Sequence, residues 1–340
     1  MIRQATVVIP TYNRAASLQR VLAALACQSL PDSGFGFEVV VVSDGSQDGT
    51  IATLATLETP FSLRCIEQEH AGPSAARNRG IAAATGELIL FLDDDVAPHA
   101  DWITAHLQAH AQATAPVAVI GPMWSPPAAR LQPWVAWEQA QLHAKYARMR
   151  AGHLQPNPHQ FYTGNASVLR TQLLAAGGFD TTIRRMEDVE LAYRLAAQEV
   201  GFVFAPQAYG YHYAHRSYGA WLAIPYTYGQ NSVWWAKEKG RADLLATVLR
   251  SYAHLHPLQQ RMLRLALDRP AMSKGLLLTL QTIALLAHQC RLTDLANRAF
   301  SGIYNLRRYQ GMADALGGRA SFLAAVAASG IDGSAQYNCA

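Results

Sequence analysis

Apolar runs alternate with amphipathic stretches over the first 120 residues of the chain. The runs VVIP and ELILFL are uninterrupted and end in polar residues, as is typical of strands buried on both faces of a parallel sheet. Apolar residues recur at helical spacing between the first two strands, at Leu18, Val21, Leu22 and Leu25. This alternation predicts an α/β fold, with a mostly parallel sheet flanked by helices.

The pattern changes in the second half of the chain. Residues 121–165 are rich in Pro and Trp, and the stretch MEDVELAYRLAAQ is predicted to be a helix. Beyond about residue 217 the pattern is helical throughout. A change of composition near residue 240 is the predicted domain boundary.

Composition indicates a folded protein of 340 residues, since half of them are hydrophobic and 15% are charged. The four cysteines are scattered and show no CxxC spacing, which favours reduced thiols in a cytoplasmic protein. The first residues lack the apolar region and cleavage site of a signal peptide, which agrees with a cytoplasmic location.

Polar clusters follow three of the predicted strands: PTYNR at 10–14, SDGS at 43–46 and DDD at 93–95. The carboxyl ends of parallel strands share one edge of a sheet, where ligands bind, so we expect these clusters to converge. Neighbouring carboxylates repel each other, and a divalent cation bound by an Asp-x-Asp pair would relieve that repulsion. A solvated turn is the alternative interpretation of the DDD stretch.

Three further positions carry candidate chemistry. Arg77 and Asn78 lie in a helix of small residues, where Arg suits phosphate oxygens or simply faces solvent. Asp188 begins a predicted helix, where it serves either as a general base or as a partner of the helix dipole. His212 is a candidate metal ligand or an ordinary structural histidine.

Five motifs in this order resemble the family 2 glycosyltransferases of the GT-A fold, of the bacterial type, over roughly residues 5 to 215. They are VVIPTYNR, VVVVSDGSQDGT, AGPSAARNRGIAAATGELILFLDDD, TGNASVLRTQLLAAGGFD and RMEDVELAYRL. The resemblance implies a Rossmann-like nucleotide-binding sheet followed by a helical C-terminal region. The expected domains are 1–240, divided into a nucleotide-sugar half (1–120) and an acceptor half (121–240), and a helical region at 241–340.

The resemblance also implies that residues from four motifs bind the nucleotide sugar. They are Pro10, Thr11, Tyr12, Arg14, Asp44, Arg77, Asn78 and Asp93. Asp44 would hydrogen-bond the base, commonly uracil in this family. Asp95 would bind Mg²⁺ or Mn²⁺ directly, with Asp93 and His212 as further ligands and Asp94 as an intervening residue.

By the same resemblance, Asp188 is the catalytic base of an inverting, metal-dependent glycosyltransferase. The donor is expected to be a nucleotide-diphosphate sugar, in the first place a UDP-sugar. The acceptor is expected to be a hydroxyl, for example on a lipid-linked or cell-envelope glycan. The segment 121–160 carries no family signature, so the sequence says little about the acceptor.

Two other classes of protein were considered. A dinucleotide dehydrogenase needs GxGxxG after the first strand, where this chain has IPTYNR, so that class is excluded. A non-catalytic carbohydrate- or nucleotide-sugar-binding protein on a decayed GT-A scaffold is the alternative function. Such a protein should have lost one of Asp44, Asp95 or Asp188, and all three are present.

Positive charge is concentrated in residues 241–310, which carry ten Lys/Arg against three Asp. The apolar run 276–287 in this region is shorter than the roughly 20 residues that a membrane-spanning helix needs. Two interpretations stay open: peripheral association with the inner face of the cell membrane, or a core helix with solvated arginines around it. No nucleic-acid-binding motif accompanies the basic residues.

Overall fold

The computed structural model describes residues 2–31, 34–183 and 185–329, and it divides the chain into two compact units. The α/β unit comprises the residues up to Arg130 together with 138–214, and the helical unit comprises Leu131–Trp137 and the residues from His215 onward. The contacts therefore group residues 215–240 with the helices. The division into domains at residue 240 stays a prediction.

Strands of the α/β unit form a seven-stranded and a three-stranded sheet within the described residues. They are β1 (Gln4–Thr11), β2 (Gly36–Asp44), β3 (Ser62–Gln68), β4 (Leu88–Leu92), β5 (Val96–Pro98), β6 (Val117–Ile120), β7 (Met123–Trp124), β8 (Asn165–Leu169), β9 (Gly201–Phe204) and β10 (Gly210–His212). The large sheet has the order β3-β2-β1-β4-β8-β6-β9, and the small one has the order β5-β10-β7. Only β8 runs antiparallel to its neighbours in the large sheet.

Helices cover both faces of the large sheet, as the alternating pattern predicts. They are α1 (Ala15–Leu25), α2 (Thr50–Ala55), α3 (Pro73–Ala83), α4 (Trp102–Gln112), α5 (Pro133–Arg150), α6 (Arg170–Ala175) and α7 (Glu187–Ala197), with residues 138–150 of α5 in this unit. Val7 packs on one face with Leu22 of α1 and Trp102 of α4. Val8 packs on the opposite face with Ile81 of α3. Alternate side chains of β1 thus point to opposite faces of the sheet and contribute to the hydrophobic core on each face.

The helical unit confirms that the described chain is helical beyond residue 217, apart from turns. Its helices are α8 (Tyr218–Glu238), α9 (Ala242–Ala253), α10 (Pro257–Ala266), α11 (Pro270–Gln289), α12 (Thr293–Leu316) and α13 (Arg319–Ala328). Tyr252, Tyr309 and Phe322 form the centre of its core, with the Tyr252 ring 5.0 Å from each of the other two.

Two glycines set the distance between α8 and α12. A Cβ atom added to Gly229 would lie 1.9 Å from the carbonyl oxygen of Arg308. A Cβ atom added to Gly311 would lie 1.9 Å from the carbonyl oxygen of Tyr226. The two backbones therefore touch at a separation that only glycine permits.

Helix α11 corrects one expectation from the sequence. The apolar run was expected to be too short to span a membrane, but it lies in a helix of 20 residues that is long and apolar enough to do so by length and composition. The helix is longer than the run because small and polar residues at both ends continue it. One side of α11 packs on the helical unit, with Ser273, Ala284 and Ala287 buried and Leu276, Leu277 and Leu280 partly buried. Both interpretations of the apolar run therefore stay predictions.

The cysteines within the described residues are free. Cys27, Cys65 and Cys290 are exposed and unpaired. Cys339 lies outside the described residues.

A chain of buried polar side chains fastens α4 to the sheet. Ser167 of β8 lies 2.9 Å from the ring nitrogens of both His106 and His110. The second nitrogen of His106 lies 3.0 Å from Asn165 Oδ1. Burial lowers the pKa of His106 to about 3 and that of His110 to about 4, so both rings are neutral in the native protein.

Neutral buried histidines make stability depend on pH in a defined direction. The unfolded chain binds a proton at His110 below about pH 6.5, whereas the native protein does so only near pH 4. Stability should therefore fall as the pH decreases from 6.5 to 4. His110→Gln should reduce this slope by up to about 1.4 kcal/mol per pH unit.

Urea unfolding at pH 7, 6 and 5 measures that slope. The exposed His153 offers a matched control, His153→Gln. An equal loss of slope in both variants would contradict the assignment to His110.

Candidate active site

The loops after β1 and β2 are joined into one surface. The backbone N–H of Asn13, a residue with φ of 52°, donates to Ser46 Oγ at 3.0 Å. Gln47 N donates to Asn13 Oδ1 at 2.7 Å, and Ala15 N donates to Asp48 Oδ2 at 2.9 Å. Asp48, in the loop after β2, therefore holds the first residue of α1.

Asp44, at the end of β2, is buried and fully engaged. Its Oδ1 accepts from Gln68 Nε2 at 2.6 Å and from Ala71 N at 2.8 Å. Its Oδ2 accepts from Gly72 N at 2.9 Å and lies 2.9 Å from His70 Nδ1. A carboxylate accepts about four hydrogen bonds, so Asp44 has none to spare here. It fixes the loop that leads into α3.

An aromatic surface lies open beside this loop. The Tyr12 side chain is 47% exposed, and its ring centroid lies 4.6 Å from that of His70. Thr11, immediately before it, is buried, while Pro10 is partly buried. Of the predicted nucleotide-binding residues at the end of β1, Tyr12 thus offers an accessible aromatic ring face.

The middle acid of the DDD stretch is the one that points inward. Asp94 is 6% exposed and accepts from Thr11 Oγ1 at 2.7 Å and from Arg14 Nη1 at 3.0 Å. Burial raises the pKa of Asp94 to about 6, although Arg14 and Thr11 oppose the shift. Asp94 is therefore more than the intervening residue that the sequence comparison implied, since it ties the ends of β1 and β4 together.

Asp95 pairs with two basic groups. Arg14 Nη1 lies 2.6 Å from Asp95 Oδ2, and His212 Nε2 lies 3.5 Å from Asp95 Oδ1. The other ring nitrogen of His212 lies 3.3 Å from Gln139 Nε2. Burial alone would raise the pKa of Asp95, but His212 and Arg14 hold it at about 2. This carboxylate is ionised at any physiological pH.

Arg77 connects the DDD stretch to the start of α7. Its side chain is buried, with Nη2 3.0 Å from Asp93 Oδ1 and Nη1 3.0 Å from Glu187 Oε1. Its guanidinium also lies 5.6 Å from the centre of the Phe179 ring. Burial would lower the pKa of Arg77, but Asp93 and Glu187 more than compensate and raise it. Arg77 is therefore a permanent buried cation between two acidic segments.

Asp188 lies in the first turn of α7, which follows Met186 in a left-handed conformation with φ of 63°. It is half-buried, and its Oδ1 accepts from Val189 N at 2.8 Å. Burial, and after it the charge of Glu187, raise the pKa of Asp188 to about 7. A carboxyl group with this pKa gains and loses a proton readily near neutral pH, as a general base requires.

Asn78 does not share the surface formed by the other candidates. Its Nδ2 donates to the Phe179 carbonyl at 2.8 Å, and its Oδ1 accepts from Phe179 N at 2.7 Å. Both ends of the amide thus hold the segment before α7. Contact of Asn78 with a nucleotide sugar stays a prediction.

Gly164 and Asn165 position the DDD stretch in a way that the sequence reasoning missed. Asp93 N donates to the Gly164 carbonyl at 3.2 Å, and a Cβ at Gly164 would lie 2.8 Å from Asp93 Oδ2. Asn165 is fully buried and accepts from Trp102 Nε1 at 2.7 Å. The signal is the TGN at the start of the motif TGNASVLRTQLLAAGGFD, from which no site residue was predicted.

The donor atoms fit a divalent cation that is also held by a substrate. Among the described residues, no group of three or more His, Cys, Asp or Glu side chains could hold a metal ion. Asp95 and His212 nevertheless lie together, and Asp93 follows the same strand. Mg²⁺ in proteins is often bound by one or two carboxylates, with substrate phosphates and water completing its shell.

Comparison with known proteins identifies the family of this chain. The glycosyl transferase family 2 model matches residues 6–177. Validoxylamine A glucosyltransferase of Streptomyces hygroscopicus subsp. jinggangensis is 32% identical over 227 residues, which cover 57% of this chain and 52% of that protein. The chain thus spans about half the length of this relative.

Two solved structures share the fold. A mannosyltransferase from Pyrobaculum calidifontis, in complex with GDP-Man and Mn²⁺, has a TM-score of 0.54 at 22% identity, over 96% of this chain and 87% of that one. Residues 1–349 of S. aureus TarS, in complex with UDP, have a TM-score of 0.52 at 16% identity, over 92% and 91%.

These likenesses confirm the GT-A fold that the sequence predicts. The family match covers half of the chain and contains the ends of β1, β2 and β4, where the acids and Arg14 meet. The chain belongs to glycosyl transferase family 2.

Proposed function

We propose that this protein is an inverting, metal-dependent glycosyltransferase that moves a sugar from a nucleotide-diphosphate sugar to an acceptor hydroxyl. One observation carries the proposal. Arg77 joins Asp93 to Glu187, which brings the turn expected to bind the donor close to Asp188, whose pKa is about 7. A non-catalytic scaffold has no need of a carboxyl group poised in this way.

The donor is proposed to be a UDP-sugar bound along the loops after β1 and β2. The exposed ring of Tyr12 suits stacking against a base, with Pro10, Thr11 and Arg14 around it. An imide N–H of uracil would donate to Asp44 Oδ2 in place of His70 Nδ1. The His70 side chain is 61% exposed, so it has room to move aside. The solved structures of similar fold hold GDP-Man in one case and UDP in the other, so the base is a point to test.

Asp95, His212 and Asp93 are proposed to hold Mg²⁺ or Mn²⁺ together with the diphosphate. Bound there, the cation would neutralise the charge that builds on the leaving nucleotide diphosphate. Arg14 forms an ion pair with Asp95, but its side chain is 45% exposed and can rotate towards a diphosphate oxygen. The buried guanidinium of Arg77, which contacts Asp93, would add further positive charge to this site.

Asp188 is proposed to remove the proton of the acceptor hydroxyl. The acceptor oxygen then attacks the anomeric carbon from the face opposite the diphosphate, and the bond from that carbon to the phosphate oxygen breaks. The configuration of the sugar is thereby inverted. One carboxylate acts directly on the reacting atoms, in contrast to the pair in a glycoside hydrolase.

The acceptor is proposed to be a lipid-linked or cell-envelope glycan, with the protein in the cytoplasm at the inner face of the membrane. The exposed apolar surface of α11 supports this location. Family membership by itself does not identify an acceptor.

Asp188→Asn should abolish transfer and leave donor binding nearly unchanged, because an amide cannot take the acceptor's proton. The expected loss in kcat is about 10² to 10⁴, the usual contribution of a general base. Transfer assays over a panel of sugar donors, with UDP calorimetry alongside, measure both quantities. The exposed Glu199 just beyond the same helix gives the control Glu199→Gln. Activity above about a tenth of wild type would disprove the assignment.

The rate should follow the ionisation of Asp188. A base acts only when it is deprotonated, so kcat should be constant above about pH 7 and fall about tenfold per pH unit below it, given the pKa of about 7. A profile of kcat from pH 5 to 9 at saturating donor tests this. A rate independent of pH from 5 to 8 would contradict the role.

Asp95→Asn should remove the metal dependence of nucleotide binding, because the proposed cation loses an ionised ligand. Calorimetry with UDP, with and without Mn²⁺, should show metal-enhanced affinity in the wild type and none in the variant. The control is Asp101→Asn, a side chain that is 62% exposed. Equal enhancement by Mn²⁺ in the wild type and in Asp95→Asn would count against a role for this residue in metal binding.

A further inference from the structure

Helix α11 presents four large apolar side chains to solvent. Met272, Leu278, Ile283 and Leu286 are 46%, 55%, 36% and 56% exposed. Its other side packs on the helical unit through Ser273, Ala284 and Ala287, which are buried, and through Leu276, Leu277 and Leu280, which are partly buried. An ordinary surface helix exposes charged residues on its outer side, whereas α11 exposes large apolar ones there.

The exposed side of α11 also lacks charge. No Asp, Glu, Lys or Arg occurs from Gly275 to Cys290. The apolar surface continues past the helix through Leu292 and Leu295, which are 55% and 47% exposed. Six large apolar side chains exposed on one helix and the turn after it indicate a site of interaction. We call the exposed side chains of Met272, Leu278, Ile283, Leu286, Leu292 and Leu295 the apolar face.

Basic residues stand at both ends of the apolar face. Arg269 and Lys274 lie at its N-terminal end, Arg291 and Arg298 lie at its C-terminal end, and all four are exposed. Two acids lie near these ends: Asp268 accepts from Arg319 N at 2.6 Å, and Asp294 is exposed. The ends of the apolar face therefore carry four basic residues against two acids.

A cavity of about 460 Å³ opens at the N-terminus of α11. Its lining includes three cations, Arg269, Lys274 and Arg307, and two acids, Asp268 and Asp314. Both acids already accept hydrogen bonds, Asp314 from the Tyr226 hydroxyl at 2.6 Å and Asp268 from Arg319 N at 2.6 Å. The cavity thus combines positive side chains with the positive end of a long helix, and it suits a phosphate group.

We propose that the helical unit docks on an anionic lipid bilayer through the apolar face, with a lipid phosphate in the cavity beside Arg269 and Lys274. Helix α11 would lie in the plane of the interface and not across the bilayer, because Ser273, Ala284 and Ala287 stay packed against the helical unit. A second copy of the chain is the less favoured occupant, since the basic ends of two copies would meet and repel. The inference deepens the membrane location in the proposed function but is argued from the helical unit alone, so vesicle binding can fail while sugar transfer is retained.

Co-sedimentation of the full chain with vesicles tests the proposal. The probes are phosphatidylcholine vesicles with and without 30% phosphatidylglycerol, at low and high NaCl. The protein should bind the anionic vesicles at low salt, bind less at high salt, and stay in solution with neutral vesicles. Protein that stays in solution with anionic vesicles at low salt, or that binds both kinds equally, would overturn the proposal.

Two pairs of substitutions separate the apolar and the charged contributions. Leu278→Asn with Leu286→Asn should weaken binding by more than about tenfold for each leucine. Arg269→Gln with Lys274→Gln should weaken it by about fivefold for each charge. Leu174→Asn, at a leucine that is 49% exposed in the α/β unit, and Arg130→Gln with Arg150→Gln are the matched controls.

Circular dichroism and thermal unfolding show whether each variant is folded. A folded leucine variant that binds vesicles as well as the wild type would overturn the proposal. Inorganic phosphate at matched ionic strength tests the cavity as the site of the lipid phosphate. Phosphate should weaken vesicle binding of the wild type but not of Arg269→Gln with Lys274→Gln, and an equal effect on both would overturn the assignment of the cavity.

Discussion

A buried guanidinium determines the arrangement of the candidate site. Arg77 lies between Asp93, at the end of a central strand, and Glu187, at the start of α7. Removing one partner from a buried ion pair leaves an uncompensated charge, which is strongly destabilising. The two acidic segments are therefore held together by a requirement of charge balance. Within this arrangement burial and the charge of Glu187 raise the pKa of Asp188, while the charge of Arg77 opposes the rise.

The three acids at 93–95 are each neutralised differently. Asp93 contacts Arg77, Asp94 contacts Thr11 and Arg14, and Asp95 contacts Arg14 and His212. Repulsion among adjacent carboxylates is thus offset by partners from three separate parts of the chain. Arg14 is the most exposed of the cationic partners in this set, and it is shared between two acids.

Strand ends and helices were predictable because buried parallel strands and amphipathic helices leave different periods in the sequence. The convergence of PTYNR, SDGS and DDD followed from the geometry of a parallel sheet. The inward direction of Asp94 did not, since alternation along a strand does not fix the side chains of the turn after it. The partners of Asn78 depend on a segment a hundred residues away. The exposure of α11 was hidden because an apolar pattern is ordinarily taken to face a core.

The contact between α8 and α12 has a consequence for how this chain can evolve. Gly229 and Gly311 lie on different helices, and each meets backbone atoms of the other helix. A second substitution changes a side chain and cannot remove backbone atoms. No compensating substitution therefore makes room for a methyl group at either position. Each glycine codon is therefore constrained independently, and recombination between distant relatives should preserve both glycines or rebuild the whole helix pair.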